Sequence, residues 1–337
     1  MKRTYLTFLC ISLSLNTNAQ TIFSGIDIYG TSQITVEQVL DLHESRLNQM
    51  ASAWTSKDIQ LYFQIREEVT DSIRALGDFA FLEISTIEYS RDDSPLFITI
   101  DVVDLNDKNK RLTLNPRPSD DINDPDSLLA EWERYEDLGK NLRKSGELEH
   151  DASCPAFHCT FGFGHNALTY FEREFNSKVP NNREILVQIL RKDKDAKDRA
   201  FAAFLLAHIK NGRDLVRILV PSISDTSSFV RNNVLRVLAD ISQNHGEIEI
   251  PIEPILKALQ YPNTTDRNKA LAVLDGMAKN KEYRNTIIDK AGSTLIEILK
   301  LLQPNNHDWA YSILKELSGK DFGDRNVEAW TLWLNAQ

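Results

Sequence analysis

The chain is poor in glycine and proline, 13 and 11 in 337 residues, and holds only three cysteines. The first scarcity excludes collagen-like and low-complexity architectures, and the second a small scaffold stapled by many disulfides. After the first twenty residues no stretch approaches the roughly eighteen apolar residues that span a bilayer. His-Glu-x-x-His, Gly-x-Ser-x-Gly, a phosphate loop and Gly-x-Gly-x-x-Gly are all missing. Gly162-Phe163-Gly164 lacks the rest of any such motif and reads as a turn. The acidic pairs Glu67/Glu68 and Glu147/Glu149 read as solvated faces, since no apolar surroundings are implied that would perturb them. A formal charge of −10 disfavours nucleic acid and anionic lipid as partners.

With 42% apolar residues the chain has enough material for two domains with their own cores. Residues 1–19 read as a secretory signal peptide: Lys2 and Arg3, an apolar-biased run over 5–15, then Asn16-Thr17-Asn18-Ala19, with no acidic residue. Thr17 and Ala19 stand at −3 and −1 of a cut before Gln20, and the run is too short for a permanent anchor. Losing Lys2 and Arg3 takes the charge from −10 to −12. The expected mature protein is soluble, without a membrane span, and lies in a bacterial periplasm or outside the cell. Cys10 leaves with the signal; Cys154 and Cys159 remain.

Residues 20–104 predict an α+β module. Ile22, Ile26 and Ile28 alternate up to Gly30 as in a strand. Val36, Val39, Leu40 and Leu47 mark one helix, and Ile59, Tyr62, Phe63, Ile65, Val69, Ile73 and Leu76 a second, closed by Gly77. Phe79, Phe81, Ile84 and Ile87, then Phe97, Ile98, Ile100 and Val102, follow the two-residue period of strands, separated by Asp92-Asp93-Ser94-Pro95. This β-α-α-β-β order, with "IDIYGTSQIT", "IRALGDFAFLEIS" and "LFITIDVVD", resembles the polypeptide-transport-associated (POTRA) domain. The resemblance implies a sheet edge that accepts a partner strand, within an envelope complex. No β-barrel pattern follows.

Residues 105–149 read as a linker rich in Asp, Asn and Pro plus a polar helix from Leu128 that ends near Gly146. Residues 150–180 hold the only cluster of strong site chemistry: His150, Cys154, His158, Cys159 and His165. An exported chain whose two mature cysteines have four residues between them favours a Cys154–Cys159 disulfide that closes a cap loop before the next helix. The competing reading is a metal site built from the same five residues, although Cys-x4-Cys is not a usual zinc spacing.

Residues 181–337 repeat. "DKDAKDRAFAAFLLAHI" superposes on "SDTSSFVRNNVLRVLADI" with Arg199 on Arg231, an offset of 32. "TTDRNKALAVLDGMA" puts Arg267 on Arg231 at an offset of 36, and "NNHDWAYSILKEL" puts Leu314 on Leu274 at 40. A short apolar helix precedes each copy, over 185–190, 215–223, 255–259 and 295–302, and stops are expected at Asn211-Gly212, His245-Gly246, Ala291-Gly292 and Ser318-Gly319. One helix pair cannot bury its own apolar face, so the four units must stack.

This pattern resembles the HEAT family, an all-α solenoid in which an acidic turn residue precedes an arginine in the second helix. The pairs Asp195/Arg199, Asp225/Arg231 and Asp266/Arg267 follow it; Asp308-Trp309 in the fourth copy departs from it, and with Trp330 and Trp333 suits a terminal cap. The resemblance implies that second helices recruit protein partners, with Asn232, Asn233, Arg236, Asn268 and Lys269 as the exposed contact positions. The expectation is therefore an exported, non-enzymatic scaffold or adaptor with no cofactor. The alternative is a metal- or ligand-dependent enzyme centred on the Cys154–Cys159 loop.

Overall fold

A computed structural model describes residues 23–89, 95–149 and 153–337. The signal-peptide reading, the turn at Asp92-Asp93-Ser94 and His150 lie outside them.

The chain opens with β1 (Gly25–Tyr29), α1 (Val36–Thr55), α2 (Ile59–Arg74), β2 (Phe79–Glu88) and β3 (Leu96–Asp104). Thr35 starts α1 with a capping box: its hydroxyl accepts from Gln38 N, and the Gln38 side chain reaches back to Thr35 N. The three strands form one sheet in the order β1-β3-β2, with β1 parallel and β2 antiparallel to β3. Strand alternation divides its residues between two faces. Ile26, Ile84, Ile98, Ile100 and Val102 meet Val39, Leu47, Met50, Ile65 and Ile73 of the helix pair in one core. Asp27, Thr99 and Asp101 point the other way and are nevertheless buried.

After a single turn, α3 (Lys108–Arg111), residues 112–127 form an extended strap rather than a free linker. The helices then follow in order: α4 (Leu128–Ser145), α5 (Asn166–Lys192), α6 (Ala196–Leu205), α7 (Gly212–Leu219), α8 (Ser228–Asn244), α9 (Ile252–Leu259), α10 (Thr264–Ala278), α11 (Lys281–Leu299), α12 (Pro304–Ser318) and α13 (Val327–Asn335). Four pairs, α5/α6, α7/α8, α9/α10 and α11/α12, share a single core running from Leu128 to Trp330. That core starts well before residue 181, which falls inside α5 one residue after Pro180. Helix α4 is not merely polar: Leu128, Leu129, Trp132, Tyr135 and Leu142 join the same core. Gly292 is not a stop either. It sits within α11, where a Cβ would lie 2.5 Å from Leu334 Cδ1 of the closing helix.

Arginines stitch the stack, but not with the partners that sequence proximity suggests. Arg199 donates through Nε and Nη2 to Asp225, and Arg231 likewise to Asp266, so each guanidinium grips the acid of the following unit. Its Nη1 meanwhile donates to a carbonyl of its own turn, Asp193 O and Asp225 O respectively. Such two-point pairs satisfy the planar guanidinium in full, which is what lets it be buried. Arg267 makes the same own-turn bond, to Pro262 O, but the fourth unit offers it no acid. Its partner is Asp101 of β3, with both side chains wholly buried.

The sheet therefore supplies, at the turns, the acid that the fourth unit does not give to Arg267. The second oxygen of Asp101 accepts from Thr264 N at the start of α10, and Asp27 accepts from Leu302 N and Gln303 N just before α12. Helix N-termini present unsatisfied N–H groups and positive potential, so both carboxylates are well placed. Tyr29 covers Arg267, whose guanidinium carbon is 4.0 Å from the ring centroid. Burial raises Asp101 to about 6 against the pull of Arg267, leaving it ionised at neutral pH. Arg111 then ties Gly30 O and Val102 O of the sheet module to Gln260 O of the third unit. Gly30 is needed here: its φ is +93° and a Cβ would strike Val102 O and the Arg111 guanidinium.

The strap continues along the remaining turns. Asn115 bonds Ser224 O and Pro221 O of the second unit. Asp120 pairs with the backbone of 192–194, and Ile122 N donates to Asp193, in the first. Residues 23–127 thus touch the intra-unit turn of all four pairs, from the last to the first.

Candidate interaction surface

The second helices, α6, α8, α10 and α12, pack side by side, so each is flanked by neighbours and backed by the first-helix layer. Only a narrow stripe of each can face outward. On α8 that stripe is Phe229, Asn232, Arg236 and Asp240, spaced by three or four residues. On α10 it is Thr265, Asn268 and Lys269. Asn233 is not part of it: the residue is buried and its amide donates to Ala200 O of α6, because the stripe is narrower than the polar side of an isolated amphipathic helix. Asn268 is half-buried and donates to Asn305 O across to α12.

Helix α6 has no open stripe. Trp132 of α4 packs on Phe204, and the loop closed by the Cys154–Cys159 disulfide lies on the same helix. Phe157 N donates to Ala207 O, and the His158 ring stacks on Phe204 with centroids 4.7 Å apart. His158 Nδ1 is 2.6 Å from Asp240 Oδ2 on α8, and burial holds the imidazole below its ordinary value. The disulfide-closed loop and α4 therefore roof the first unit and leave α8 and α10 as the first open second helices.

The Cys and His residues weighed for a metal site do not assemble into one. Cys154 and Cys159 are bonded to each other and offer no thiolate. His165 accepts from Ala167 N as the cap of α5, and His158 is committed to Asp240 and Phe204. Among the described residues no group of three or more His, Cys, Asp and Glu side chains can hold a metal ion.

Sequence reasoning missed a polar cluster under the roof. Glu172 of α5 is wholly buried and accepts a short hydrogen bond from Tyr135 OH, which itself accepts from Phe161 N. The other Glu172 oxygen is 3.7 Å from His208 Nε2 and 3.6 Å from Cys159 Sγ, a half-cystine with no proton to donate. Burial raises Glu172 to about 7, with the Tyr135 bond opposing, and lowers His208 to about 3. Nothing in the sequence placed Glu172 there, because a lone Glu on a helix otherwise reads as solvated.

Two concavities flank the repeats. One of about 680 Å³ runs beside the outer edge of β1, between Ile28, Tyr29 and Gly30 on one side and Thr294 and Glu297 of α11 on the other. One of about 970 Å³ lies on the first-helix layer, bordered by Arg213, Arg217, Glu249 and Tyr283. No helix among the described residues is long and apolar enough to cross a membrane.

Residues 183–275 match the family model of HEAT repeats. No curated protein matches the chain. The matched span runs from the middle of α5 to the last turn of α10 and contains Arg199, Arg231 and Arg267 with two of their three acids. Residues 183–275 of the helical solenoid are thus similar to HEAT repeats, and a three-stranded sheet docks at its turns.

Proposed function

We propose that the protein is an exported, non-enzymatic scaffold that binds polypeptide along the open stripe of α8 and α10. The observation that carries this reading is the contrast between neighbouring second helices. Helix α6 is roofed by α4 and the disulfide loop, whereas on α8 and α10 Phe229 is exposed and Asn232, Arg236 and Lys269 are half-exposed. HEAT repeats commonly mediate protein–protein interaction, and a solenoid presents such stripes as one surface. Export is supported by the order of residues 1–19 and by a disulfide, which persists in oxidising compartments.

A second contact is favoured by the groove beside β1. The N-terminal module has the β-α-α-β-β order expected of a POTRA-like domain, and among the described residues β1 pairs on one side only. An extended segment pairing with its outer edge would lie against α11. The polar face of the module is buried against the repeats, so the module and the repeats would act together.

Site-specific photo-crosslinking tests the main reading. A photoreactive residue at Asn232 in the full mature chain should give a discrete polypeptide adduct in envelope extract, one that Arg236→Gln diminishes. The same residue at exposed Lys144 should give none. Equal labelling from both positions would count against a specific surface.

A further inference from the structure

In the repeats, inward-leaning arginines are almost all spoken for. Arg199, Arg231 and Arg267 have acids, Arg183 pairs with Asp214, and Arg284 and Arg325 bond carbonyls. Two cations on the open stripe differ. Arg236 and Lys269 are each half-buried, and among the described residues neither makes a hydrogen bond or an ion pair. The Arg236 guanidinium lies over the Phe204 ring, 5.4 Å from its centroid. The nearest acid, Asp240, has one oxygen engaged by His158 Nδ1.

Their electrostatics agree with a missing partner. Burial is the main cause holding Lys269 below the ordinary ammonium value; the charge of Arg236 adds to it, and Asp240 offsets only part. Burial likewise lowers Arg236, with Asp240 and Glu136 opposing. A half-buried cation without a partner carries a desolvation cost that an incoming anion would repay.

We propose that Arg236 and Lys269 are the recognition point for carboxylates of a short acidic peptide segment laid across α8 and α10. This deepens the scaffold reading and rests on it. Arg236 offers a planar two-point match to a carboxylate, held in orientation by Phe204, and Lys269 adds a second charge from the adjacent helix. Asn232, one turn before Arg236, offers a carboxamide to the main chain of the segment. The protein's net charge of −10 favours a short acidic segment over an extended polyanion, whose charges outside the stripe would be repelled.

The test uses the full mature chain and a fluorescein-labelled octaglutamate peptide, with octalysine and an uncharged Ser/Gly octapeptide as controls. Octaglutamate should bind in preference to both, and more weakly as salt rises. Arg236→Gln and Lys269→Gln should each weaken it about tenfold. Thermal melting supplies the readout that a purely structural role would move the other way: both variants should melt at or above the parent temperature, because an uncompensated charge is removed. Octaglutamate binding no better than the uncharged peptide, or equally well to both variants, would overturn the proposal. If octaglutamate fails while the Asn232 crosslink persists, the acidic class is wrong and the scaffold reading stands; loss of both removes the scaffold reading as well.

Discussion

Arg267 of the third repeat pairs with Asp101 of the central strand, 166 residues earlier in the chain, and both side chains are entirely removed from solvent. Asp101 thereby does for Arg267 what Asp225 does for Arg199 and Asp266 for Arg231. The sheet module is the next rung of an inter-repeat ladder, so its position follows from the same chemistry that stacks the helices. The open stripe on α8 and α10 is positioned by that ladder, since Arg231 and Arg267 lie in the first turns of the two helices.

Glu172 predicts an unusual pH dependence. Its folded value of about 7 is above the ordinary 4.5, so the folded state holds this proton more tightly than the unfolded one. Its contribution to stability is full below about pH 4.5 and is lost as the pH rises through about 7. His208, lowered to about 3, acts in the opposite sense: its contribution is present above its ordinary 6.5 and is lost as the pH falls towards 3. Glu172→Gln should therefore leave the opposing slope of His208, so that stability rises with pH more steeply than in the parent between about pH 5 and 7. At about pH 8 it should exceed the parent by on the order of 1–3 kcal/mol in urea unfolding. An unchanged slope would show that Glu172 is not the group responsible.

The disulfide predicts a mass gain of about two units on reduction of the purified protein. With a sequence separation of 5 between its ends, its loop is short, and Cys154→Ser with Cys159→Ser should cost about 2 kcal/mol. Because the loop roofs α6, the double variant should also expose Phe204, read as faster proteolysis at the first unit. No loss of stability would show that the loop is held by its packing alone.

Trp330 is fully buried where α13 closes the stack, between Phe322 and Trp333, and its Nε1 donates to Gly323 O. Trp330→Ala should destabilise the protein by about 3–5 kcal/mol in denaturant unfolding. Substitution of exposed Leu332 in the same helix should change it little.

Much of the repeat region was legible because apolar spacing and recurrent arginines reflect local packing that each unit must satisfy. The partners of those arginines were not. Asp195 and Arg199 are neighbours in sequence, yet Asp195 caps α6 while Arg199 reaches Asp225 in the next unit, a choice made by stacking. The polar face of the sheet was misleading for a related reason. Asp27, Thr99 and Asp101 alternate with isoleucines as they would on a solvated strand, and only the helix N-termini facing them convert that polarity into a docking surface. Asn233 and Arg236 looked equivalent on α8, but the flanking helix α6 takes the first and leaves the second open. The strap from 112 to 127 has linker composition and is ordered by hydrogen bonds to turns far away in sequence.

The coupling between Asp101 and Arg267 is measured most directly by a double-mutant cycle of Asp101→Ala and Arg267→Met in denaturant unfolding of the full chain. Each single change should cost about 3–5 kcal/mol, because it leaves a buried group without its partner. The double variant should be less destabilised than the sum, with a coupling free energy of about 2 kcal/mol or more, and unfolding should remain one cooperative transition. Additive effects, with the sheet module and the repeats unfolding separately, would contradict the claim that the sheet is a rung of the ladder.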